Sequence, residues 1–236
     1  MTHLEGNERA RYVQGMFACI AGRYDLMNRL MTFGQDVRWR RLLLQQAALP
    51  PQGRLLDLGT GTGDIAAAQL QYAPEAQVVG ADFTLEMMRA GGGRRDTARV
   101  QWACADTLTL PFPDHSFDAV TSGFLMRNVI DVAGAFAEQA RVLRPGGRVV
   151  SLDTTPPPKN LLRPAIRFHL HRVIPTLGRI ITGDADAYTY LPDSTEGFLR
   201  AEQLADKMRA AGFEAVEYKR LMMGTVALHW AVKRAN

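Results

Sequence analysis

Cysteine is nearly missing from this chain of 236 residues: Cys19 and Cys104 are its two, and they form no Cys-x-x-Cys or other metal-ligand spacing. A thiol-bound metal is therefore excluded, and a reducing compartment is expected. No leader is expected, because Met1-Thr2-His3-Leu4-Glu5 runs into a charged segment rather than into the apolar centre of a signal peptide. No stretch comes near the roughly 20 consecutive apolar residues of a membrane span. No Gly-Lys-Ser or Gly-Lys-Thr triplet occurs, which rules out the phosphate-cradling loop of nucleoside triphosphatases. One long segment also lacks acid: between Asp153 and Asp184 there is none.

What is present is ordinary for a globular protein, with 47% hydrophobic and 22% charged residues and a net charge of +4. The length suits one large domain with its own core. From about residue 54, short apolar runs alternate with stretches of helical spacing. Strands are predicted over 54–58, 77–81, 100–104, 117–123, 148–152, 215–221 and 225–232, and helices over 66–72, 85–91 and 133–143. Such alternation implies right-handed crossovers and a parallel sheet covered on both faces. Leu221-Met222-Met223-Gly224-Thr225 is too short to hold a crossover helix, so the last two strands must run antiparallel. The expected fold is α/β and Rossmann-like, a mostly parallel seven-stranded sheet ending in an antiparallel hairpin. Residues 8–49 read as a helical cap, 54–153 as the binding core, 154–195 as an insertion opened by Pro156-Pro157-Pro158, and 196–236 as a C-terminal helix and hairpin.

Leu55-Leu56-Asp57-Leu58-Gly59-Thr60-Gly61-Thr62-Gly63-Asp64 sets three glycines at alternate positions just after the first strand. Doubly wound sheets bind their ligands at this point. The dinucleotide fingerprint Gly-x-Gly-x-x-Gly is not met: the sixth position is Asp64 counted from Gly59 and Ala66 counted from Gly61. Acids surround the loop instead. Asp57 and Asp64 bracket it, Asp82 ends the second strand nineteen residues after Gly63, and Asp106 ends the third. A pyrophosphate would be repelled there. A ligand carrying an ammonium and a sulfonium suits these acids, and its carboxylate can use the helix N-terminus. Asp82 is placed to accept from both ribose hydroxyls, and Asp106 to meet an adenine amino group. The pattern thus points to S-adenosylmethionine; a mere tight turn is the competing reading, and two acids at successive strand ends weigh against it.

Further stretches carry a resemblance. They are Met16-Phe17, Ile20-Ala21, Tyr24-Asp25-Leu26-Met27-Asn28, Leu110-Pro111-Phe112-Pro113-Asp114, Arg127-Asn128-Val129, Val142-Leu143-Arg144-Pro145-Gly146-Gly147-Arg148, Asp184-Ala185-Asp186-Ala187-Tyr188 and Val226-Ala227-Leu228-His229. Over nearly its whole length the chain resembles the ubiquinone/menaquinone C-methyltransferases, which methylate a prenylated quinol ring. The resemblance implies that Thr62, Asp82, Asp106 and Thr107 contact the cofactor, together with Asp57, Gly59, Gly61, Gly63 and Gly123. There are departures. Gly123-Phe124-Leu125-Met126 stands where the family has Ser-Phe-Gly-Leu, so a polar side chain expected at 123 is gone, and Leu152-Asp153-Thr154 replaces Leu-Glu-Phe.

Methyl transfer to a ring carbon needs an aligned ring whose hydroxyl is losing its proton. Arg127 and Asn128, just past the fourth strand, fall on the substrate side of such a sheet, and the resemblance points to the same pair. Arginine stays charged, so Arg127 is expected to stabilise phenolate, with Asn128 orienting a ring oxygen or a water; a structural pairing of Arg127 with Asp131 or another acid is the alternative. Tyr188 is a third catalytic candidate, and His229 a weaker one. His169-x-His171 invites a metal reading, but an i, i+2 pair on a helix points to different faces, and no metal is expected.

The acid-free insertion carries Lys159, Arg163, Arg167, Arg172 and Arg179 among Leu161, Ile166, Phe168, Leu170, Ile174 and Ile180. This composition suits a lid over a greasy substrate that also rests on anionic lipid. Nucleic acid is not expected as a partner, because stacking aromatics do not interleave the arginines. The chain is expected in the cytoplasm, peripherally on the inner face of the membrane, and association as a homodimer is left open.

Overall fold

In a computed structural model, residues 6–158, 161, 163–182 and 186–235 are described, without the side chains of 7, 9, 10, 181, 182 and 186–189. Three helices come first: α1 (Gly6–Ile20), α2 (Tyr24–Met31) and α3 (Gln35–Ala47). The alternating section follows as β1 (Arg54–Leu58), α4 (Asp64–Tyr72), β2 (Gln77–Asp82), α5 (Leu85–Gly92), β3 (Gln101–Cys104), β4 (Phe117–Gly123), α6 (Val132–Val142) and β5 (Leu143–Thr154). The insertion forms α7 (Arg163–Phe168), a π-helical turn His169–Val173, α8 (Ile174–Thr182) and α9 (Asp186–Glu196). The chain closes with α10 (Ala201–Ala210), β6 (Phe213–Leu221) and β7 (Val226–Lys233).

One seven-stranded sheet has the order β3-β2-β1-β4-β5-β7-β6. The first five strands are parallel neighbours, whereas β7 runs antiparallel to both β5 and β6. The fold is therefore the expected α/β sheet with an antiparallel end. The hairpin is folded inward: its second strand, β7, inserts beside β5 and leaves β6 on the edge. Burial explains this choice. Val226, Ala227, Leu228 and Ala231 of β7 are buried, while Glu214, Lys219 and Arg220 of β6 are exposed, as suits a charged edge strand.

Alternation along each strand divides the core into two layers. Leu56, Leu58, Val79, Val120 and Val149 pack with Phe136, Leu204 and Met208 under α6 and α10. Leu55, Val78, Ala119 and Val150 face the other way, onto Trp39, Leu43, Ala66 and Leu70 of α3 and α4. A third cluster lies beyond the sheet, where Ile20, Met27 and Met31 of the N-terminal helices pack on Ile166, Leu170 and Ile174 of the insertion. The two segments outside the α/β repeat are thus packed on each other.

Candidate active site

A cleft of about 250 Å³ opens at the carboxyl ends of the parallel strands, between the sheet and the N-terminal helices. Gly59 and Gly61 line it from the β1–α4 loop, Asp82 and Thr84 from the end of β2, Asp106 and Thr107 from beyond β3, and Gly123 from β4. Gln14, Phe17 and Tyr24 close it from the cap. This is the crevice where strand order reverses between β2-β1 and β4-β5.

Bare backbone is needed here for conformation and for space. Gly59 and Gly61 have φ of +61° and +58°, a left-handed region costly for other residues. A Cβ on Gly59 would also stand 2.9 Å from Leu125 Cδ1. Gly63 serves packing: it does not line the cleft, and a Cβ there would meet the Trp102 ring at 2.7 Å.

Asp82 staples the loop to the sheet. Its Oδ2 accepts from the Gly61 amide at 2.8 Å and its Oδ1 from the Thr84 amide at 2.7 Å. Each oxygen keeps a further lone pair for a ligand hydroxyl. Burial pushes its pKa upward. Asp106 is exposed and accepts from the Leu108 amide at 2.9 Å. The Thr107 hydroxyl is buried without a partner while its residue lines the cleft.

Two of the expected contacts point elsewhere. Asp57 is sealed beneath the loop, does not line the cleft, and accepts the hydroxyls of Thr60 at 2.7 Å and Thr121 at 2.9 Å. Burial pushes its pKa up to about 7. Thr62 donates its hydroxyl to Asp25 of α2 at 2.7 Å and is likewise absent from the cleft lining. Asp25 also meets Arg94, which reaches Asp64 at 2.7 Å. Arg40 joins Asp64 to Asp36, completing an ionic network that clips the cap onto the glycine loop. These side chains shape the site by holding its walls.

Past β4 the chain separates the expected substrate-side pair. Asn128 lines the first cleft, whereas Arg127 lines a second cavity of about 280 Å³ on the far side of Phe124. Arg127 is buried against Asp153: Nη1 donates to Oδ1 at 2.7 Å, and its backbone amide meets Oδ2 at 3.2 Å. The structural pairing with an acid named as the alternative is thus present, but with Asp153; Asp131 caps α6 by accepting from the Gly134 amide. The Arg127 guanidinium lies 5.3 Å from the Phe124 ring centroid, a cation–π distance. Asn128 Oδ1 accepts from the Tyr190 hydroxyl at 3.1 Å, and its Nδ2 donates to the Phe124 carbonyl at 3.3 Å. Tyr24 is bonded to Asn28, and burial raises its pKa, keeping it protonated.

The family model described as the ubiE/COQ5 methyltransferase family matches residues 4–233. The chain belongs to this family. A ubiquinone/menaquinone biosynthesis C-methyltransferase of Desulfotalea psychrophila is 51% identical over 221 residues, covering 94% of this chain and 90% of the relative. Two proteins named demethylmenaquinone methyltransferase follow. That of Thermus thermophilus is 48% identical, covering 91% of this chain and 98% of its own, and that of Roseiflexus castenholzii is 44% identical, covering 97% and 96%. Among solved structures, a methyltransferase from Thermotoga maritima superimposes with a TM-score of 0.65 at 18% identity, covering 94% of this chain and 100% of its own. At that identity the likeness speaks for the fold.

The methyltransferase uses S-adenosylmethionine, and the cleft suits it. Asp82 and Asp106 bring acceptors for hydroxyl and amino groups to its lining, Leu58, Ala81 and Met87 offer apolar walls, and the Thr107 hydroxyl is open for a hydrogen bond. Sequence reading missed Tyr24, Phe124, Asp153 and Tyr190 as site residues. Tyr24 and Tyr190 lie in or beside the stretches that carry the family resemblance, and that was the available signal. Asp153 stands where the resembled family has an acid, but its partner comes from another strand end, so spacing along the chain could not pair it with Arg127. The side chain of Tyr188 lies outside the described residues. His229 is a packing group: Nε2 meets the Ala201 carbonyl at 2.8 Å, its ring stacks on Tyr218, and burial lowers its pKa. His169 stacks on Phe33 and lines the second cavity, whereas His171 meets Glu196.

Proposed function

We propose that this methyltransferase transfers a methyl group to a ring carbon of a prenylated quinol, with demethylmenaquinol as the first acceptor. The observation that carries this reading is the position of Arg127 and Asn128. They are adjacent residues at the end of β4, one facing the cofactor cleft and the other a mostly apolar cavity behind Phe124. An acceptor ring entering between them meets a fixed guanidinium and an oriented amide. When bound, the cofactor supplies an electrophilic methyl at its sulfonium.

In this reading Asp153 holds the Arg127 guanidinium in one orientation, and Arg127 stabilises the negative charge that grows on the ring oxygen. Tyr190 fixes the Asn128 amide so that one amide hydrogen stays available to a ring oxygen or a water. With the cofactor held in the cleft, the ring carbon would take the methyl against Arg127 and Asn128, a thioether would remain on the cofactor side, and the ring proton would depart to solvent. Full names of the relatives at 44% and 48% identity favour the naphthoquinol. The relative at 51% is named for both quinones, which keeps a polyprenyl methoxy-benzoquinol as the second reading.

The insertion supports contact with a lipid surface. Arg163, Arg167, Arg172 and Arg179 are exposed, and Phe168 and Ile180 are 63% and 71% exposed beside them. No helix among the described residues is long and apolar enough to cross a membrane, so attachment would be peripheral. Incubation with methyl-labelled S-adenosylmethionine and demethylated naphthoquinols and benzoquinols, followed by mass spectrometry, tests the function. Label on a ring carbon of the naphthoquinol is expected; label on neither ring overturns the reading.

A further inference from the structure

The second cavity has two properties that the catalytic reading does not require. Its lining is apolar in effect as well as in composition. Met31, Trp39, Ile166, Leu170, Ile174 and Val226 form its walls, and the hydroxyls that reach it are already engaged. Thr32 donates to the Asn28 carbonyl at 2.8 Å, Thr195 to Thr154 at 3.1 Å, and Thr225 to the Met222 carbonyl at 2.8 Å. Arg127 is neutralised by Asp153. His169 Nε2 also lies buried in this lining without a hydrogen-bond partner; with the other named polar groups bonded within the protein, the mostly apolar lumen offers little to water and suits a hydrocarbon guest.

Backbone strain is concentrated on the same walls. Phe33, Phe124, Met222 and Met223 line this cavity and have φ of 53°, 58°, 44° and 54°. Among the described residues, Ala48, Gln52, His115 and Ala215 are the other non-glycine residues with positive φ, and none of them lines it. A bulky side chain in that region costs of order 1–3 kcal/mol, and such outliers gather at binding sites. Phe33 and Met223 are also 71% and 59% exposed, so they mark the mouth, while Phe124 is shared with the cofactor cleft and marks the inner end.

We infer that this cavity, between Phe124 at its inner end and Phe33 and Met223 at its mouth, holds the first isoprene units of the acceptor's tail. The assignment rests on the quinol reading above. The ring lies against Phe124 and Arg127, and the chain runs between α2, α7 and the β6–β7 turn toward the exposed apolar mouth. Specificity for a tailed acceptor then comes from the insertion and the cap, which form this cavity only by packing together.

Two measurements on the full chain test it. Ala165 is exposed yet lines the cavity, so Ala165→Trp fills the lumen without overpacking the core. The first measurement compares kcat/KM for 2-geranyl-1,4-naphthoquinol with that for tail-free 1,4-naphthoquinol. The ratio of tailed to tail-free is expected to fall about tenfold in the variant, the effect of roughly 1.4 kcal/mol. The second uses a geranyl naphthoquinone analogue with a diazirine in its second isoprene unit, and maps the photoadducts by mass spectrometry. Adducts are expected on residues of α7, the π-helical turn and α2, and excess geranyl quinol, but not phosphatidylcholine vesicles, should suppress them. An unchanged ratio in a folded variant, adducts confined to other surfaces, or suppression by the vesicles alone overturns the assignment. If the wild type methylates neither quinol, the proposed function fails, and the adduct map still decides what the cavity holds.

Discussion

Arg127 Nη1 lies 2.7 Å from Asp153 Oδ1, and both side chains are almost wholly buried, at 6% and 1% exposure. A buried pair of this kind is costly to break from one side and much cheaper to replace entirely. Arg127→Ala is expected to lower both the melting temperature and kcat, the latter by roughly 10²–10³. The double variant Arg127→Met/Asp153→Leu separates the two effects. It should recover part of the stability, because no charge is left unpaired although the Arg127 and Thr154 amides lose their acceptor, while single-turnover transfer stays as low as in Arg127→Ala. Turnover restored together with stability would make the arginine structural.

Asp82 both faces the cleft and anchors Gly61 and Thr84. Asp82→Ala should therefore weaken S-adenosylmethionine binding by roughly 2–3 kcal/mol, through lost ligand contacts and two amides left unpaired. Isothermal calorimetry showing unchanged affinity in a folded variant would remove Asp82 from the site.

Asp57 predicts an unusual dependence of stability on pH. Burial pushes its folded pKa up to about 7, well above the ordinary carboxylate range. The folded state consequently holds a proton that the unfolded state has lost, and stability falls as pH rises from about 4 to 7, then levels off. Asp25 and Asp82 are raised too and act in the same direction. Asp57→Asn should flatten the profile by an amount on the order of a few kcal/mol over that window. Chemical denaturation at stepwise pH reads this out, and an unaltered slope in the variant would refute it.

Phe33 is strained and largely exposed. Phe33→Gly removes the strain of its positive φ and the ring at the mouth of the second cavity together. The melting temperature is expected to hold or rise slightly despite the loss of the His169 stack, while KM for a prenylated acceptor increases. A fall in melting temperature with unchanged KM would show that the ring serves packing alone.

Arg163, Arg167 and Arg172 carry the case for lipid contact. Replacing all three with Gln should weaken flotation with anionic vesicles, most clearly at low salt, where exposed charges are least screened. Cofactor affinity should stay the same. Equal flotation of variant and wild type at low and physiological salt would rule out this contact.

The sequence by itself determined the sheet and its cofactor end. Strand and helix periodicity is local, so β1, β4 and the order of α/β units could be read from alternation, and the short Met222–Gly224 link sufficed to make the last two strands antiparallel. The glycine loop and Asp82 were legible for the same reason, since a strand end followed by a turn fixes where a short side chain can reach. Tertiary structure alone decided the rest. That Asp57 turns inward to Thr60 and Thr121 and Thr62 outward to Asp25 depends on which neighbour each strand and helix receives. Arg127 meets Asp153 because β4 and β5 pair in a register that brings their ends together, not because of spacing along the chain. The composition of the insertion pointed to a lid over a greasy substrate, but the place of the second cavity had no signature: its walls come from α2, α7, β7 and the β6–β7 turn, and it exists because the cap and the insertion bury their apolar faces against each other.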